Sequence, residues 1–139
     1  MTVKTKTIEV ASKADTDIIN ITDHAEKAVK ESKLKDGILT IFVPGSTASI
    51  STIEYEPNLV ADFKDAVERI APSDIKYRHH ETWDDHNGKS HVSATMMGPS
   101  MTIPFNDGKL ILGTWQQIVL LDFDMPARKR KIVLQAMGE

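Results

Sequence analysis

Strand-forming segments crowd both ends of this chain and its two strongest helical patterns lie between them. That order points to one compact α+β domain over residues 1–139, with a largely antiparallel β-sheet and two main helices. Residues 3–10 alternate as a strand does, and residues 17–21 read as a short second strand. Asp23-His24-Ala25-Glu26 has the reciprocal capping-box spacing, so a first helix is expected there, with Ala25, Ala28 and Val29 facing inward. Asp36-Gly37 should stop that helix after Leu34. Ile38-Leu39-Thr40-Ile41-Phe42-Val43 is a nearly continuous apolar run, which predicts a central strand covered on both faces.

Pro44-Gly45 breaks that strand, and residues 46–55 resume in β-favouring residues dense in hydroxyls. Pro57 suits a first helical turn, and Leu59, Val60, Phe63, Ala66, Val67 and Ile70 follow at helical spacing until Ala71-Pro72-Ser73-Asp74 ends the run. Residues 90–97 suit either a short helix closed by Gly98-Pro99 or a strand. Asn106-Asp107-Gly108 between strand patterns at 101–105 and 109–112 predicts a hairpin. Asp124-Met125-Pro126-Ala127, between patterns at 117–123 and 131–137, predicts a second one.

Charge and composition narrow the function. Seventeen basic against twenty acidic side chains leave a formal charge of −3, so no overall field favours nucleic acid or anionic lipid. No apolar run approaches the roughly 20 residues a membrane helix needs, and residues 1–7 lack the apolar block of a secretion signal. A cytoplasmic protein is expected. There is no cysteine, so a metal could be held only by His, Asp, Glu, Asn or water.

Four of the five histidines fall within residues 79–91, His79, His80, His86 and His91, together with Glu81, Asp84, Asp85 and Asn87. Imidazole, carboxylate and amide groups bind divalent metals and move protons near neutral pH, so the stretch reads as a site. Loop histidines can equally be solvated, above all His79 and His86, and His24 reads as a surface residue of the first helix. Ser46-Thr47-Ala48-Ser49 could offer hydroxyls and N–H groups to a phosphate, or simply form a polar strand. In Gly113-Thr114-Trp115-Gln116, glycine allows close backbone approach, Trp115 offers a flat face to a ring, and Gln116 can donate and accept at ring nitrogens. Trp115 could instead be core or subunit interface. In Arg128-Lys129-Arg130-Lys131, alternation sends Arg128 and Arg130 to one face, where they could meet a phosphate or form a solvated strand edge.

Gly45-Ser46-Thr47-Ala48-Ser49, Glu54 followed by Pro57, His80 through Ser90-His91, Gly98-Pro99-Ser100-Met101-Thr102-Ile103-Pro104, Gly113-Thr114-Trp115-Gln116-Gln117 and Gly138-Glu139 occur in that order. Through them the chain resembles YjbQ-like proteins over nearly its whole length. The resemblance implies a small α+β domain that assembles as a homotrimer, in a family whose members are called secondary thiamine-phosphate synthase or uncharacterised. Many members carry a His where this chain has Gly45, so no role of that imidazole carries over. The implied reaction joins hydroxymethylpyrimidine diphosphate to thiazole phosphate, giving thiamine phosphate and pyrophosphate. On that reading His80 and His91 converge on a divalent metal, zinc or magnesium, with Asp85, Asn87 or Glu54 beside them as oxygen ligand or orienter. Ser46, Thr47 and Arg130 would take phosphates, and Gly113, Thr114, Trp115 and Gln116 the pyrimidine of a small phosphorylated heterocyclic substrate. The alternative is a metal- or small-phosphate-binding protein, or a phosphate-ester hydrolase, with thiamine synthesis a side activity.

Overall fold

The computed structural model describes residues Met1–Glu139. In chain order its elements are β1 (Thr2–Ala11), β2 (Asp17–Asn20), α1 (Thr22–Ser32), β3 (Gly37–Phe42), β4 (Ala48–Glu54), α2 (Pro57–Ile70), α3 (His80–Trp83), α4 (Gly88–Met97), β5 (Ser100–Asn106), β6 (Lys109–Leu110), β7 (Gln116–Asp122) and β8 (Lys129–Gly138). Every strand pairing is antiparallel. The strands form two sheets, a five-stranded one in the order β1-β8-β3-β5-β6 and a three-stranded one in the order β2-β7-β4.

The alternation of β7 shows how the layers stack. Ile118 and Leu120 enter the core between the sheets, which also holds Leu39, Ile41, Ile132 and Leu134 and is closed by Ala25, Ala28 and Val29 of α1. Val119, Leu121 and the following Phe123 point the other way and pack with Val67 of α2 and Ala94 of α4. A strand covered on both faces must be apolar at consecutive positions, and Ile118-Val119-Leu120-Leu121 is. β3 is the middle strand of its sheet but is covered on one face only. Leu39 and Ile41 are fully buried, whereas Ile38 and Phe42 are 37% and 41% exposed.

Local chemistry sets the helix ends. α2 begins at Pro57 as the sequence predicts, and the Glu56 carboxylate accepts from the N–H groups of Asn58 and Leu59. α1 begins one residue before the expected cap and has no capping box. Asn20 Oδ1 instead accepts from Thr22 N at 3.0 Å and Thr22 Oγ1 at 2.7 Å. That helix stops at a left-handed Lys33, and Gly37 serves the sheet: a Cβ there would lie 2.2 Å from the Met137 carbonyl oxygen. Residues 88–97, compatible with either helix or strand in sequence, are the helix α4.

The first hairpin forms, with Asp107 and Gly108 both at positive φ between β5 and β6. The second does not. β7 lies in the three-stranded sheet and β8 in the five-stranded one, so residues 124–127 carry the chain from one sheet to the other. Asp122 and Asp124 hold Arg130 and Arg128 across this crossing.

Candidate functional site

The histidine stretch is fastened at both ends. Near the end of α2, the Glu68 carboxylate accepts from Ser73 N at 2.7 Å and Ser73 Oγ at 2.8 Å, and it pairs with Lys89 in the first turn of α4. The hydrogen bond from Lys89, then those from Ser73, hold the Glu68 carboxyl down to about 2. Tyr77 donates to the Pro72 carbonyl at 2.7 Å. Gly88 is required beside that ring, because a Cβ at this position would lie 2.5 Å from Tyr77 Cβ. Between these anchors α3 makes one turn, and Asp84 and His86 take left-handed backbone conformations at φ 56° and 55°. Such conformations are uncommon outside glycine, though Asp and His adopt them more readily than most side chains.

The loop sorts the histidines into two pairs. His79 packs edge-on against His91, ring centroids 4.6 Å apart, and its Nε2 lies 3.7 Å from Asp85 Oδ1. In the amide orientation that satisfies its neighbours, Asn87 donates to Asp85 Oδ1 at 2.8 Å and faces His79 Nε2 at 3.3 Å. The second pair is His80 and His86, centroids 4.8 Å apart, and the Tyr77 ring lies 5.6 Å from that of His80. His86 Nε2 reaches Asp84 Oδ1 at 2.9 Å. His80 Nε2 is buried without a hydrogen-bond partner, as are the hydroxyls of Ser90 and Ser93 on α4.

The ring that packs on His91 is that of His79, the ring contacts of His80 are with His86 and Tyr77, and Asp85 and Asn87 lie with the His79–His91 pair. Two adjacent imidazoles project differently when the second opens a helical turn, which spacing alone could not disclose. No three His, Asp or Glu side chains of the chain converge as a metal cage. The residues present do not by themselves fit a resident zinc ion, which takes four ligands. What the cluster can do unaided is hold and pass a proton, with Asp85 placed to stabilise a charged imidazole and Asn87 fixing the carboxylate.

Of the expected phosphate groups, Thr47 and Arg130 are already engaged within the fold. Arg130 donates from Nε to Asp122 Oδ2 at 2.9 Å, from Nη2 to Asp122 Oδ1 at 2.8 Å, and from Nη2 to Thr47 Oγ1 at 2.7 Å. Burial pushes the Asp122 carboxyl up, but Arg130, the Ser12 hydroxyl and the Asp124 N–H together hold it below its ordinary value. Asp122 in turn raises Arg130. Thr47 is buried, and Ser46 stays exposed beside it. The sequence sign of this network was the two-residue spacing of Asp122 and Asp124 and of Arg128 and Arg130, two acids and two bases on either side of the crossing.

Glu54, Thr114 and Trp115 line a separate cavity of about 370 Å³. β4 pairs Ala48 with Asp122 at one end and Glu54 with Gln116 at the other, so Arg130 and Trp115 sit about 20 Å apart by strand rise. Gln116 uses its whole amide on the fold, its Oε1 accepting from Gly113 N at 3.0 Å and its Nε2 donating to Thr52 Oγ1 at 3.1 Å.

Comparison with known proteins places this geometry in one group. A family model described as "UPF0047 protein YjbQ-like" matches residues 6–139. A UPF0047 protein of Archaeoglobus fulgidus is 34% identical over 131 residues, covering 94% of this chain and 98% of the relative. One from Methanothermobacter thermautotrophicus is 32% identical over 139 residues, covering 100% of this chain and 95% of the relative. The crystal structure of a YbjQ-like protein of unknown function from Sulfolobus solfataricus superposes with a TM-score of 0.94 at 33% identity, covering 99% of each chain. That of an uncharacterised YjbQ/UPF0047 protein from Clostridium acetobutylicum gives 0.87 at 34% identity, covering 95% of this chain and 99% of the other. A family match across almost the whole sequence, with whole-chain likeness in fold, means that this chain belongs to the YjbQ-like UPF0047 family.

Proposed function

We propose that the chain is a group-transfer enzyme acting on a small phosphorylated heterocycle, with His79, His91, Asp85 and Asn87 as its proton-handling centre. The observation that carries this reading is the contact of two imidazoles beside a carboxylate that an amide holds in place. The specific reaction proposed is the one the sequence resemblance implied. The thiazole nitrogen attacks the methylene carbon of hydroxymethylpyrimidine diphosphate, a C–N bond forms, the C–O bond breaks, and pyrophosphate leaves with the electron pair. A protonated imidazole beside the departing oxygen would stabilise that charge, and Asp85 would stabilise the imidazolium. A divalent ion enters this proposal only if groups from outside the chain complete its coordination.

One observation favours a second reading, a small-phosphate- or metal-binding protein or a phosphate-ester hydrolase. Arg130, the cation expected to neutralise the diphosphate, is committed to Asp122 and Thr47. Steady-state turnover separates the two. A kcat/KM above about 10⁴ M⁻¹s⁻¹ with the two thiamine precursors, lost in His91→Ala, supports the transferase. Weak turnover with those precursors beside faster release of phosphate from simple esters supports the second.

The assembly proposed is a homotrimer in the cytoplasm. No helix is long and apolar enough to cross a membrane. The outer face of the five-stranded sheet carries three successive rungs free of charge: Val3-Met137-Ile38-Pro104, Thr5-Gln135-Thr40-Thr102 and Thr7-Val133-Phe42-Ser100. An uncharged sheet face with half-exposed Ile38 and Phe42 suits contact with another copy.

A further inference from the structure

We infer that the cavity beside Trp115 is a binding site for a flat, positively charged heteroaromatic ring. The inference rests on the reading of this chain as a small-molecule enzyme, and it goes further by fixing the charge and shape of one ligand group.

Trp115 is 72% exposed, yet the backbone that carries it is held firmly. Gln116 spends both ends of its amide on Gly113 and Thr52, and its own N–H donates to the Gly113 carbonyl at 3.1 Å. A large aromatic face is thus presented to solvent on a pre-organised turn, which lowers the ordering cost of binding. Tyr55 lines the same cavity, its hydroxyl tied to the Ile18 carbonyl at 2.9 Å while its ring stays half-exposed.

The charges decide what the aromatic faces would receive. Two carboxylates, Glu54 and Glu56, line the cavity, and no Lys, Arg or His does. Glu56 is occupied in capping α2, whereas no side-chain hydrogen bond or ion pair engages Glu54. An uncompensated carboxylate next to aromatic faces repels phosphate and attracts a cation, and the ring quadrupole adds to that attraction. A volume of about 370 Å³ accommodates one small ring system. Trp115 thus supplies the stacking face and Glu54 the counter-charge.

The test is binding without turnover. Nicotinamide and 1-methylnicotinamide share ring and size and differ in charge, so both are titrated into the full chain while the Trp115 indole N–H is followed by NMR, with Trp83→Phe identifying the second indole signal. The cation should bind at least about tenfold more tightly than the neutral ring. Glu54→Gln should remove that difference, and Trp115→Leu, titrated by calorimetry because it lacks the reporting indole, should weaken both. Tetramethylammonium should bind more weakly than 1-methylnicotinamide, because it lacks the flat ring. Equal affinity for the neutral and charged rings, a Trp115 shift on adding inorganic phosphate, or a Trp115 signal that follows protein concentration rather than ligand would each overturn the inference. Because no reaction is measured, loss of the proposed transfer activity with cation binding intact would count against the proposed function alone.

Discussion

Arg130 of β8 and Asp122 of β7 form a two-point ion pair, 2.9 Å and 2.8 Å, that ties the five-stranded sheet to the three-stranded one. Both side chains are nearly inaccessible, 10% and 1% exposed. Removing one partner from such a pair leaves an uncompensated buried charge. Arg130→Met should therefore destabilise the protein by about 3–5 kcal/mol, and Arg130→Met with Asp122→Leu should cost less than Arg130→Met alone. Urea titrations of the single and double variants check this. An Arg130→Met protein as stable as the parent would release Arg130 for the phosphate role its sequence position suggested.

The same pair sets an acid limit. Asp122 is held below its ordinary 3.8 in the folded state. A depressed carboxylate contributes its full stability above the unfolded value and loses it as pH falls through the folded one. Stability should thus fall on acidification below the ordinary aspartate range, and the drop should shrink in the double variant. Melting curves between pH 7 and pH 2.5 would show it, and identical profiles for parent and double variant would contradict it.

The histidine contacts make a kinetic prediction. If His79 and His91 act as one unit, each alanine variant should lower kcat by about 10²–10⁴-fold and the double variant little more than either. Asp85→Asn should behave similarly. His80→Ala should lose less, since His80 packs with His86 and Tyr77 instead. A larger loss at His80 than at His79 would move the centre to the other pair.

Glu68 and Lys89 fasten the loop that carries these histidines, so Glu68→Gln should loosen it. The carboxylate is 47% exposed, and solvent screening limits the stability change to about 0.5–1 kcal/mol despite the depressed pKa. The contribution is present above the ordinary 4.5 and fades as pH falls toward about 2. Hydrogen exchange across residues 73–89 should quicken in the variant at neutral pH while the core strands stay protected. Unchanged exchange in that segment would remove the fastening role.

What the sequence disclosed was the chemistry that acts locally. Asp107-Gly108 marked its hairpin because both residues must take positive φ, and Pro57 marked the start of α2. Asp124 to Ala127 carries turn chemistry of the same kind, yet the strands it joins part into different sheets. Their partners are chosen by distant contacts such as Phe123 N to the Thr47 carbonyl and Arg130 to Asp122. Ile38 to Val43 was as apolar as a doubly covered strand, and only the placement of α2 and α4 gave that second cover to β7 instead. At the site, the stretch of residues 79–91 was visible as a cluster. Which imidazole meets which depends on left-handed turns at Asp84 and His86, and no spacing rule encodes those.

The uncovered face of the five-stranded sheet gives the last prediction. Four strands about 4.8 Å apart, with three rungs about 6.7 Å apart, make roughly 400 Å² of uncharged surface. That is about half of what one partner contributes to a standard interface, so the patch can form the apolar centre of a contact whose rim lies on the surrounding polar residues. Phe42 stands on that face beside Val133 and Ser100 and is 41% exposed. Phe42→Lys would place a charge at the edge of the patch without touching Leu39 or Ile41 beneath it. In sedimentation at micromolar concentration the parent should run as a trimer, and the variant should dissociate while keeping its far-ultraviolet circular dichroism. A parent that sediments as a monomer, or a variant that stays trimeric, would show that the copies do not meet across Ile38 and Phe42.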